Sequence, residues 1–277
     1  MNRIGISLAA LLPTLALVGC NDGSLHDKGP STLTQQNSQQ VGQALGATIS
    51  GAATGNGTNG AGAKKLTQSL HHTSSFTGDT GECWTVSGDE SDADADGIPL
   101  DALYTLADCT YAQDDWTETY SGTEGISDPS PDAADFAYAE TFDLNAGFTG
   151  PDVTETDHLV GSDGGHMTGE NYTYADNFSD DYSGTYQGQS YAGSYAENLT
   201  WVYTPLNTMT VDGTWSETWD GQAVDVSVAT TDPLQLNPCA CVSGIQSGTV
   251  VATSGDSSVT MTWVDCEETV TYSGPQS

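Results

Sequence analysis

Six carboxylates fall within thirteen residues, at Asp89, Glu90, Asp92, Asp94, Asp96 and Asp101. Like charges held that close repel and raise one another's pKa. A hard cation removes the penalty, and calcium, which takes about six to eight oxygen ligands in flexible geometry, suits an all-oxygen set. Asp92, Asp94 and Asp96 alternate, so a curled backbone turns their side chains toward one centre. Gly97 permits the sharp turn, Ile98 can offer its carbonyl, and Asp101 completes the candidate set. The expected ion is calcium in a structural role.

The cysteines offer a second chemistry. Beyond Cys20 the chain carries Cys83, Cys109, Cys239, Cys241 and Cys266. Cys83 and Cys109 bracket the acidic segment, and joining them closes a loop of about 27 residues, worth roughly 3 kcal/mol on a chain-entropy estimate. Cys241 and Cys266 bracket a C-terminal hairpin, which leaves Cys239 over or exchanging with Cys241 for Cys266. Catalytic signatures are missing from the sequence: there is no HExxH, phosphate loop or nucleophile elbow, and His71, His72, His158 and His166 sit in polar surroundings without a motif. An aromatic platform for sugar rings would draw on Trp201, Trp215 and Trp219; the plainer expectation is that they fill a β core.

The Asp segment resembles the D-x-D-x-D-G-x-P calcium loops of secreted bacterial proteins and thrombospondin type 3 repeats. It departs from the EF-hand, whose bidentate glutamate would fall at Leu103, and Asp101 stands one residue later than in the commonest DGxPD form. Residues 1–19 form a signal peptide, with Arg3 as the positive end and an apolar run from Ile4 to Leu17 too short to span a bilayer comfortably. The run ends in Leu17-Val18-Gly19-Cys20, which resembles the lipobox of bacterial lipoproteins. That resemblance implies diacylglycerol on the Cys20 thiol, acylation of its amine and durable anchoring by several chains. Asn21 follows the cysteine in place of the Asp associated with inner-membrane retention, which favours the outer membrane. A cysteine, a DxDxDGxP loop, a second cysteine and a late cysteine pair together resemble uncharacterised bacterial lipoproteins, a likeness that supplies no activity.

Charge narrows the partners. Four Lys and Arg stand against 38 Asp and Glu, a formal net charge of −34, and Leu66 to Ser277 contains no Lys or Arg. Such a chain repels nucleic acid and anionic lipid, so nucleic-acid binding is excluded and membrane contact is expected through the lipid anchor alone. Self-repulsion is relieved by salt or divalent cations.

The elements that must position these groups are strands. Residues 20–66 are expected to be a polar and Gly-rich tether, with a short helix over 34–50 carried by Val41, Ala44, Leu45 and Ile49 and weakened by Gly42 and Gly46. From 67 to 277 short alternating segments rich in Thr, Tyr and Trp predict an acidic all-β domain, an antiparallel meander of about 10–13 strands forming a barrel or sandwich. The alternation is plain in Thr214–Trp219 and Val259–Trp263. Turns are expected at Ser162-Asp163-Gly164-Gly165, Asp212-Gly213, Asp220-Gly221 and Gly255-Asp256. The functional expectation is an exported, membrane-anchored and non-enzymatic module of envelope architecture or adhesion, with a carbohydrate-binding or carbohydrate-cleaving lipoprotein as the alternative.

Overall fold

A computed structural model describes residues 33–55, 83–94, 96–113, 115–129, 137–219, 222–238 and 240–275. Cys20, the signal peptide, His71, His72 and Cys239 lie outside the described residues.

Twelve strands form one antiparallel sheet whose spatial order is the chain order. They are β1 (Trp84–Asp89), β2 (Asp101–Gln113), β3 (Trp116–Ser127), β4 (Ala137–Thr149), β5 (Val153–Thr168) and β6 (Asn171–Tyr186), then β7 (Gln189–Thr204), β8 (Thr208–Trp219), β9 (Gln222–Leu236), β10 (Ile245–Ser254), β11 (Ser257–Val264) and β12 (Glu267–Ser273). Each strand pairs with its sequence neighbours, as short connections demand of a meander. Among the described residues β1 and β12 do not pair with each other, so the sheet is not closed. Among the described residues neither a barrel nor two facing sheets is formed. A helix, α1 (Ser38–Gly55), supplies the second layer by packing on β8, β10, β11 and β12.

Helix α1 forms where a short helix was expected over 34–50, but it is part of the core and not of a tether. Thr34 N–H donates to Asn37 Oδ1 at 2.8 Å and Asn37 N–H to Thr34 Oγ1 at 3.3 Å, a reciprocal cap that fixes the turn leading into the helix. Val41, Leu45, Ile49 and Ala53 recur every four residues and all are fully buried. They meet Val211, Trp215, Val250, Val259, Met261 and Trp263 in one cluster. The glycines that lower helix propensity by about 1 kcal/mol each also let the helix settle. A Cβ on Gly42 would stand 2.4 Å from Val270 Cγ1 and 3.1 Å from Val259 Cγ1.

The face beneath the helix is set by strict alternation. In β11, Ser257, Val259, Met261 and Trp263 point inward, while Ser258, Thr260, Thr262 and Val264 point away. The Gly255-Asp256 turn connects β10 to β11 as expected, with Gly255 at φ +57°. Ser162-Asp163-Gly164-Gly165 is not a turn. It runs through β5, paired on both sides from Glu140↔Asp163 to Asp163↔Asp176. Its glycine serves packing: a Cβ on Gly165 would lie 2.1 Å from the Tyr172 hydroxyl and 2.8 Å from Tyr138 Cε1, so both rings cover the backbone there. Asp212-Gly213 likewise lies inside β8.

Leu45→Ala is expected to lower unfolding stability by about 2–5 kcal/mol, the usual cost of emptying a fully buried leucine site. Gln43→Ala, on the exposed side of α1, should leave it unchanged; chemical denaturation of both variants checks whether the helix belongs to the cooperative unit.

Candidate metal centre

The β1–β2 connection is pinned at both ends. Cys83 and Cys109 form a disulfide with Cα atoms 5.1 Å apart, and Asp89 and Asp101 are the last register pair of the two strands. Within the loop, Leu100 N–H donates to Ser91 O at 2.9 Å. The fully buried Ile98 packs with Ala102, Tyr104, Ile126 and Tyr138, a small core that anchors the loop to the sheet.

The chain between these anchors curls through side-chain-to-backbone bonds. Asp92 Oδ2 accepts from Gly97 N–H at 2.9 Å, Asp94 Oδ1 from Asp96 N–H at 3.1 Å, and Asp96 Oδ1 from Ile98 N–H at 2.8 Å. Gly97 adopts φ +97°, a conformation that disfavours any residue with a Cβ. Carboxylate oxygens of Asp92, Asp94 and Asp96 all come within 4.8 Å of one another, so the triad could hold a metal ion. Asp94 Oδ2 and Asp96 Oδ2 are buried and accept no hydrogen bond. Asp96 has a raised pKa, chiefly from burial, partly opposed by the Ile98 N–H and reinforced by Asp94, Asp128 and Asp92.

Two members of the expected ligand set stand differently. Asp101 opens β2 with an exposed side chain and is not grouped with the triad, because strand pairing with Asp89 and Ser127 fixes its place. Ile98 contributes its buried side chain as the anchor described above. Asp128, which nothing in its sequence context singled out, is 6 % exposed, and its charge reaches Asp96. Its backbone N–H donates to Pro99 O at 2.9 Å, which tethers the end of β3 to the loop.

The second disulfide joins Cys241 to Cys266, again with Cα atoms 5.1 Å apart. Two disulfides point to an oxidising, extracytoplasmic compartment. Among the described residues no helix is long and apolar enough to cross a membrane. Trp201 and Trp215 are each 1 % exposed; their rings belong to the core and offer no face to a sugar. Trp201 Nε1 donates to Asp176 Oδ2 at 3.2 Å, and Trp215 stands edge-on to Tyr195 with centroids 5.9 Å apart. His158 lies in a polar pair, its Nε2 2.9 Å from Asp143 Oδ1.

Sequence reasoning missed a second acidic feature. Across β3 to β8 the inner face carries Glu124, Glu140, Asp163, Asp176, Glu197 and Glu217, one per strand, and all except the partly buried Asp163 are buried. Glu140 sits directly opposite Asp163, and Asp163 opposite Asp176. The others are diagonal neighbours, as Ile126↔Glu140, Phe178↔Glu197 and Glu217↔Tyr195 show. Burial is the largest cause pushing all six pKa values upward, to about 7 at Glu124 and Glu217. Asp176 and Glu197 are well supplied with donors. Asp176 accepts from Trp201 Nε1 and, at 3.3 Å, from Leu199 N–H; Glu197 accepts from the Tyr195 hydroxyl; and the two carboxyls bond to each other.

Compared with known protein families, curated proteins and solved structures, the chain matches none.

A group whose folded pKa is raised binds more protons folded than unfolded, so its stabilising contribution is complete below its unfolded pKa and is lost as pH rises. For Glu124 and Glu217 that window runs from the unfolded glutamate value, about 4.3, to about 7. In EDTA, the thermal midpoint is therefore expected to fall steadily from pH 5 to pH 8. A midpoint that climbs over that range would contradict the burial of these acids as neutral groups.

Proposed function

We propose that this chain is an exported, lipid-anchored module of the cell envelope, non-enzymatic, that presents an acidic β-sheet outside the cytoplasm and closes its first hairpin around calcium. The observation that carries the calcium reading is the convergence of Asp92, Asp94 and Asp96 within 4.8 Å on a loop fixed by the Cys83–Cys109 disulfide. All-oxygen ligands and a flexible loop favour calcium over metals that seek nitrogen or sulfur. Ile98 can turn its carbonyl to the ion, and Asp128 is better placed than Asp101 to complete the coordination, because its charge already reaches Asp96. The role is architectural. An ion here ties β1, β2 and the end of β3 together at an edge of the sheet where the hydrophobic cluster is small.

Anchoring rests on the sequence Leu17-Val18-Gly19-Cys20, and the extracytoplasmic disulfides agree with it. Acyl chains on Cys20 would do all the holding, since a surface without Lys or Arg among its described residues has no attraction for anionic headgroups. The outer membrane is the favoured address, with an adhesive or architectural partner of protein or glycan nature.

Calcium at about one hundred times its dissociation constant should stabilise the fold by about 2.7 kcal/mol. In a protein of this size that is roughly 5–10 °C of thermal midpoint. The expected result is calcium-dependent protection of residues 89–101 from limited proteolysis in the wild type, lost in the Asp94→Asn/Asp96→Asn variant. Equal cleavage with and without calcium in the wild type would overturn the loop reading. For the anchor, labelled palmitate should enter the native chain and not Cys20→Ser expressed in the same host; equal labelling of both rules out Cys20 as the acylated residue.

A further inference from the structure

We propose that Glu124, Glu140 and Asp163 form a second, interior site for a hard divalent cation of the calcium class, on the inner face of β3, β4 and β5. It is separate from the Asp92 loop and does not depend on that loop binding anything.

The inner acids fall into two groups that differ in what satisfies them. On β6 and β7, Asp176 and Glu197 have donors: an indole N–H, a backbone N–H, a tyrosine hydroxyl and the bond between the two carboxyls. On β3 to β5 the Tyr138 hydroxyl, which bonds Asp163, is the one donor to the inner acids found among the described residues. Glu124 Oε1, Glu140 Oε2 and Asp163 Oδ1 are buried oxygens that accept no hydrogen bond. Glu124 is 8 % and Glu140 4 % exposed, so these oxygens lie away from bulk solvent. The three groups act on one another: Asp163 is the largest charge felt by both Glu124 and Glu140, and Glu124 adds to the effect on Glu140.

The surrounding elements offer no cation. Opposite Glu124 on β2 stands Tyr104, beside Glu140 on β4 is Tyr138, and opposite Asp163 on β6 is Asp176, with Tyr172 and Tyr174 on the same strand. The described residues contain no Lys or Arg. Tyr138 hydrogen-bonds Asp163, which leaves that carboxylate's other oxygen for a further ligand. A proton shared between Glu140 and the opposing Asp163 would join two of these oxygens and leave the third, and no hydrogen bond joins these carboxyls as one joins Asp176 and Glu197. A divalent ion satisfies all three at once and offsets most of their charge, with the Tyr138 hydroxyl as a neutral oxygen nearby.

Among the described residues only the Asp92 loop already brings three carboxylate oxygens within 4.8 Å. Filling the interior site therefore draws the longer Glu124 and Glu140 side chains inward by rotation about their χ angles. Uptake at a site whose acids are protonated must also release protons, which distinguishes it from the loop.

The test is calcium stoichiometry of the purified full chain after EDTA stripping, by equilibrium dialysis. Two ions per chain are expected for the wild type, one for Asp94→Asn/Asp96→Asn, one for Glu140→Gln, and none for the combination. Binding in the Asp94→Asn/Asp96→Asn chain should release protons at pH 6, read in weakly buffered solution. If the loop itself binds nothing, the wild type and the loop variant bind one ion alike, and the interior proposal stands. A loop variant that binds none, or Glu140→Gln that binds as many ions as its parent, overturns it and leaves the acids as proton holders only. Should Glu140→Gln fail to fold, terbium in the loop variant decides. Emission sensitised by tyrosine, with a decay showing no more than about two bound waters, supports a buried site; fully hydrated, unsensitised terbium refutes it.

Discussion

Carboxylates without fixed counter-charges govern this structure. In most proteins a buried acid finds an arginine or lysine, and the pair's geometry becomes part of the fold. Here the described residues carry neither, so each acid must find water, a donor, a proton or a metal ion. The exposed Asp143 takes the imidazole of His158. Asp176 and Glu197 take donors and bond to each other. The Asp92–Asp96 curl takes backbone N–H groups and leaves two buried oxygens over. Glu124 Oε1, Glu140 Oε2 and Asp163 Oδ1 find no donor among the described residues, and from that shortage the interior site is inferred.

The same constraint accounts for the division of the sheet. From β8 to β12 the inner face is mainly aliphatic side chains, methionine and tryptophan, with Glu217 on β8 the last of the inner acids, and α1, which has no charged residue, lies across it. From β3 to β7 the face turns to acids and tyrosines, where a purely apolar helix would meet groups it cannot satisfy. The helix therefore covers one end of the sheet, and its hydrophobic burial is concentrated there. With a second layer at that end, closing the sheet is not required for a core. The edges are protected in other ways: β1 is six residues long, and β12 opens with Glu267 and Glu268.

What the sequence made legible was whatever local pattern determines. Period-2 alternation located strands such as β8 and β11, and spacing and compartment chemistry indicated Cys83–Cys109 and Cys241–Cys266. The convergence of Asp92, Asp94 and Asp96 followed from their alternation and Gly97. Features set by long-range packing were hidden. Ser162-Asp163-Gly164-Gly165 has the composition of a turn, and only the rings of Tyr138 and Tyr172 above Gly165 explain why it is a strand. A short helix was expected where α1 lies, but Gly42 and Gly46 read as a weakness, because the packing that uses them is against β12, more than 200 residues away. The inner acids did leave a trace. Glu197 shares its parity with Leu199, Trp201 and Tyr203, and Glu217 with Val211 and Trp215. In so acidic a chain that parity was masked, since a glutamate in alternation is ordinarily assigned to the wet face.

On the proposed reading, the conditions that complete the fold are those of the compartment the chain is exported to. Protons and calcium compete for the same oxygens, so the cation matters most near neutral pH, where the inner acids would otherwise be forced to ionise. In the cytoplasm the thiols stay reduced and the clamps at Cys83–Cys109 and Cys241–Cys266 are open. Free calcium is scarce there as well, so the Asp92 loop and the β3–β5 acids repel without relief. Each deficit weakens a different part of the sheet: the β1–β2 edge, the acidic middle and the β10–β12 end. On that reading, a chain so weakened would be easier to thread across a membrane. Oxidation and divalent ions on the far side would then supply, in one compartment, both kinds of cross-link that its composition denies it.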